Sequence, residues 1–101
     1  MLGSPFTFTT LFVFFQSEKL NVMAQRDSAA AAECVRVIGL LLARPDEPDR
    51  LARAQRAAAC ARASAEATST VAATLGTESA AIESETASTL ADTADQLLAL
   101  F

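Results

Sequence analysis

The chain has 101 residues, one domain at most, and is too short to bury a large core by itself. It has no His, Trp or Tyr, two Cys and three Gly. This leaves it without the commonest general acid/base, the commonest metal ligand or a glycine-rich phosphate cradle. The net charge is −4, and every basic residue (Lys19, Arg26, Arg36, Arg44, Arg50, Arg53, Arg56, Arg62) precedes residue 63, after which only acids follow. A distal third of that sign repels nucleic acid and anionic lipid. With no nucleophile elbow and no metal-spaced carboxylates, the expectation is a non-enzymatic protein without a cofactor, a catalytic residue or a metal site, and with no nucleic-acid partner.

Composition divides the chain near Met23. Five of the six Phe (Phe6, Phe8, Phe12, Phe14 and Phe15) lie in the first fifteen residues, and every Ala lies at position 24 or later. Residues 1–22 therefore read as an apolar, poorly ordered extension and residues 23–101 as an Ala-rich helical domain. The apolar run 6–15 is about half the length a spanning helix needs. Three roles fit it: an upstream extension with Met23 as the working start, a membrane or partner anchor through its Phe side chains, and a signal peptide. If it pairs, its Phe, Thr and Val favour a strand.

The first helix is expected over 28–44. Asp27 or Ser28 caps it, and Ala31, Cys34, Val35, Ile38, Leu41 and Leu42 form a stripe at 3–4 spacing. Pro45 ends it at Arg44. In the link Pro45-Asp46-Glu47-Pro48-Asp49, Asp46 is placed to cap the next helix and Pro48 to open it. So short a link makes the two helices antiparallel neighbours. Arg50, Arg53 and Arg56 read as a solvated flank paired with Asp46 and Asp49.

The second helix presents Leu51, Ala54, Ala58, Ala61 and Ala65 inward, an Ala groove facing the larger side chains of the first. Beyond Ala67, the residues Val71, Leu75, Ile82, Leu90, Leu97 and Phe101 fall in one narrow wedge; with Ser79, Thr86 and Ala94 between them the mean step is about 3.7, nearer an eleven-residue repeat than a heptad. Two architectures follow, both all-α. In the favoured one, an antiparallel hairpin, a long amphipathic second helix covers 48–100, roughly 75–80 Å at the standard rise. In the other, Gly76 ends that helix, Thr77 caps a third, and the chain makes a three-helix bundle.

Cys34 and Cys60 each lie thirteen residues from Glu47. A hairpin folded there sets them at similar height, either as a disulfide or as two small reduced apolar residues.

The stretch Glu78-Ser79, Ile82, Glu85-Thr86, Leu90 and Gln96-Leu97 resembles the early half of a glutamine-type SNARE motif over residues 71–101. That resemblance implies a four-helix membrane-fusion bundle with Leu75, Ile82, Leu90 and Leu97 as layers. The family's central glutamine falls near Thr93 in this chain.

The favoured functional expectation is a helical interaction subunit, either coiled coil or bundle. It docks on a helical partner or on a second copy of itself through Val71, Leu75, Ile82, Leu90, Leu97 and Phe101. The alternatives are a membrane-associated helical protein, SNARE-like or Phe-anchored, and a mispredicted or truncated reading frame. A cytoplasmic location is favoured, with membrane-associated or secreted as alternatives.

Overall fold

A computed structural model describes the backbone of residues 5–101 and the side chains of residues 18–101. It is all-helical: α1 (Pro5–Leu42), α2 (Arg50–Leu75) and α3 (Glu78–Leu98), with no strand among the described residues.

The helix α1 starts well before the expected Ser28 and crosses Met23 without a break. The composition boundary is therefore not a backbone boundary, and residues 5–22 are helical rather than extended. Propensity is a weak prior, and the Ala-rich run 29–32 gives this helix a strong nucleus from which to propagate. The helix ends at Leu42, before Pro45, as the steric rule for the residue preceding proline requires.

The link folds differently from expectation. Glu47 N–H donates to the Arg44 carbonyl (3.1 Å) across Pro45 and Asp46, a turn with proline at its second position. Pro48 stays in the link, and α2 opens at Arg50 behind Asp49, which sits in the left-handed region (φ 54°) and makes no side-chain cap. Asp46 therefore does not cap α2. Asp is among the few non-glycine residues that tolerate the left-handed region.

At the far end of α2 the expected 48–100 helix is interrupted. Gly76 is left-handed (φ 63°), and its N–H closes the last turn on the Ala72 carbonyl (2.8 Å). The Thr77 hydroxyl then accepts from Ala80 N–H (3.2 Å) and caps α3. The Gly76-Thr77 pair supplies both devices a helix break needs.

The core explains the close packing of all three helices. Its buried members are Ala31, Ile38 and Leu41 from α1, Ala54, Ala58, Ala61 and Ala65 from α2, and Ala87, Ala91 and Ala94 from α3. Positions 54, 58, 61, 65 and 68, and again 87, 91 and 94, step by four and three, a heptad period. The expected period of about 3.7 for the distal third followed the large side chains, whereas the seam of α3 follows its alanines. Leu90, Leu97, Leu98 and Phe101 pack against the flanks of that seam. The Ala stripe expected of α2 is buried, while Leu51, expected with it, is exposed. Among the described residues, Ile38 and Thr68 are the largest fully buried side chains. The Thr68 hydroxyl donates to its own helix, at Ala65 (2.9 Å) and Ser64 (3.2 Å), so its polarity is satisfied locally.

Arg50 ties the three chain ends of the closed pole. Its Nε donates to the Leu41 carbonyl (3.2 Å), one of the last carbonyls of α1. Its guanidinium carbon lies 4.7 Å from the centre of the Phe101 ring. It thus meets the negative end of one helix dipole and the face of an aromatic ring together.

Three consequences can be measured by chemical denaturation. Ile38→Ala removes the one large side chain wholly enclosed in α1 and should cost about 2–4 kcal/mol. Ala61→Leu should cost about 1–3 kcal/mol by forcing the helices apart, although it adds apolar surface. Gly76→Ala should cost about 1–2 kcal/mol, because a Cβ there meets no neighbour within 4 Å and only the left-handed backbone resists it.

Candidate interaction surface

The residues expected to form a docking stripe do not share one fate. Val71 is buried (6% exposed) within α2, and Leu75 is half-buried. Leu90, Leu97 and Phe101 lie against the chain's own core. Ile82 alone of the six stands well into solvent, at 55%. Most of the wedge is therefore covered from within the chain. Thr93, near the SNARE family's central-glutamine position, is half-buried and donates its hydroxyl to the Thr89 carbonyl (2.9 Å). The contact expected of Phe6, Phe8, Phe12, Phe14 and Phe15 lies outside the described side chains.

Among the described residues, the large apolar side chains that are exposed fall into two groups. Leu40, Leu51 and Leu100 are exposed, and each adjoins one member of the Leu41–Arg50–Phe101 junction at the closed pole. Val22, Met23 and Ile82 form the other group. The ion pairs set the register that unites them. Arg62 donates to Asp92 (3.0 Å) and Asp95 (2.6 Å), which fixes α3 antiparallel to α2. The bond from Arg50 to Leu41 fixes α2 antiparallel to α1. Counting along both pairs brings Ile82 level with residues 17–18 of α1, a little beyond Val22 and Met23 and toward the pole opposite the link.

At that open pole the helices are unequal. The helix α1 has 38 residues and α2 has 26, a difference of twelve. Since Leu42 and Arg50 are joined by the link, the excess lies at the N-terminal end of α1, roughly 18 Å of helix running past α2. The molecule is correspondingly long and thin, 71 × 21 × 14 Å. It exposes 6815 Å², whereas a compact monomer of its mass exposes about 5,500 Å².

Charge on the flanks serves mainly to set register. The two carboxylates beside Arg62 hold its guanidinium more firmly protonated than usual, Asp95 first and Asp92 second. Arg53 pairs with Glu47 (2.9 Å), not with Asp49, and Arg50 turns inward to Leu41 and Phe101 instead of pairing with Asp46. The expected i, i+4 pairs therefore give way to contacts across the link. Arg36 pairs with Glu33 one turn earlier, and that hydrogen bond holds the Glu33 carboxyl below its ordinary range. All of these pairs are largely solvent-exposed, so each contributes little to stability.

The two cysteines are free thiols. Cys34 packs partly buried against the core, and Cys60 is exposed. Burial is the first cause that pushes the Cys34 thiol up, and the adjacent Cys60 side chain is the second. Their equal distances from Glu47 set them at similar height on α1 and α2. Among the described residues, no group of three or more His, Cys, Asp or Glu is placed to hold a metal ion. Among the same residues, no helix is long and apolar enough to cross a membrane. The separation of the exposed apolar residues has no local signature in the amino-acid pattern, because it depends on how the helices pack together.

No protein-family model matches the chain, and no curated protein or solved structure matches it either.

Proposed function

We propose that this chain is a non-enzymatic helical interaction subunit, and that its docking element is the open pole, where α1 outruns α2 beside Ile82, with Val22 and Met23 a little further in. The observation that carries this reading is the length mismatch of twelve residues. A helical stretch of that length is marginal in water without neighbours to pack against. A second helix laid alongside it, from a partner or from another copy of the chain, supplies those neighbours and covers the exposed apolar group next to it. The excess of exposed surface over that of a compact monomer supports the same reading.

The solution architecture that goes with this function is the three-helix bundle. The left-handed Gly76 and the Thr77 cap favour it over the hairpin with a continuous second helix. Spin labels placed at the exposed positions Ala63 and Gln96 in a cysteine-free background distinguish the two. A bundle gives a short separation, and a continuous helix gives about 50 Å.

The docking reading is tested with Met23→Asp and Ile82→Asp, both at exposed positions that leave the core untouched. Sedimentation across a range of concentrations, with co-purification from cells, should show the unaltered chain associating with itself or with a helical protein. The double variant should remain helical by circular dichroism and lose that association at least tenfold. A chain that is monomeric at every concentration and co-purifies with nothing overturns the proposal, as does association that the two aspartates leave unchanged.

A further inference from the structure

We propose that Cys34 and Cys60 are a dithiol latch, closed by exchange with a low-molecular-weight disulfide, that fastens α1 to α2 through an intramolecular disulfide. The two residues stand on facing helices, thirteen residues either side of Glu47. The seam between them is lined by Ala31, Ala58 and Ala61, all buried. Methyl-sized side chains let helix axes approach to the short end of the usual range, about 8 Å, which brings cysteine pairs toward bridging distance. Two larger residues in place of those alanines would hold the thiols apart.

The two thiols differ in access, and the difference orders the chemistry. Cys60 is exposed, while Cys34 sits partly buried against the core. Burial and the neighbouring thiol raise Cys34, which makes it the poorer first nucleophile. The Cys60 thiolate attacks one sulfur of the small disulfide, forming a mixed disulfide at Cys60 and releasing one small thiolate. Cys34 then loses its proton to solvent and attacks the Cys60 sulfur, forming the protein disulfide and expelling the second small thiolate. The protein loses two hydrogens, and the small disulfide is reduced to two thiols. The bond closes a loop that contains the whole link between the helices, so it restricts the unfolded chain and raises thermal stability.

The test incubates the full chain with oxidised glutathione and reads intact mass without reductant, alongside thermal unfolding. The expected product is a monomer lighter by two hydrogens and free of adduct. Its Tm should lie ~5–15 °C above that of the reduced chain, and dithiothreitol should reverse the shift. The variant C34S should stop as the glutathione adduct on Cys60, and C60S should react at least tenfold more slowly than C34S. Circular dichroism of both variants confirms that they are folded. Stable glutathione adducts on both cysteines of the unaltered chain, disulfide-linked dimers through Cys60, or oxidation without a change in Tm would each overturn the latch.

Discussion

Close approach of three helices over alanine is the constraint on which the rest of this molecule depends. Ala54, Ala58, Ala61 and Ala65 on α2 and Ala87, Ala91 and Ala94 on α3 repeat at heptad spacing, and with Ala31 of α1 they form a seam nearly without bulk. A methyl group contributes little buried area, so each contact is worth less than a leucine pair. It also gives up no rotamer freedom, and it lets backbone and flanking side chains meet at short range. The register marks along the seam act as locators: the bonds from Arg62 to Asp92 and Asp95, and the junction of Arg50 with Leu41 and Phe101. They hold helices whose smooth faces would otherwise slide past one another.

The local rules were legible in the sequence in different degrees. Pro45 stops α1, Gly76 and Thr77 carry the signature of a break, and the inward alanines of α2 are read correctly from their spacing. The buried face of α3 differs from the wedge of its large residues for a physical reason. Hydropathy weights Ile82, Leu90 and Leu97 above Ala80, Ala87, Ala91 and Ala94, yet a tight seam admits only the small residues and sends the large ones to its flanks. The choice between continuing through Gly76 and turning there is also hidden locally. A lone glycine costs a helix only about 1 kcal/mol, and tertiary packing decides. At the N-terminal end, the β propensity of Phe, Thr and Val does not prevent a helix that runs from Pro5 through the alanine-rich stretch to Leu42.

The candidate site was less legible than the fold. Of the six residues expected on a docking face, Ile82 is the one left strongly exposed. Its position relative to Val22 and Met23 depends on how the helices pack and is not written in the local sequence. The cysteines show the reverse. Counting outward from Glu47 places them level, and the structure adds what counting does not give: one thiol is sheltered and its neighbour is open.

The methyl-lined interior also governs how this chain responds to temperature. Heat capacity of unfolding scales with the apolar surface released, and a core made mostly of alanine releases little per residue. A small heat-capacity change flattens the stability curve, so the folded form loses strength only gradually on cooling as well as on warming. Such a protein tolerates cold better than a leucine-filled bundle of equal length.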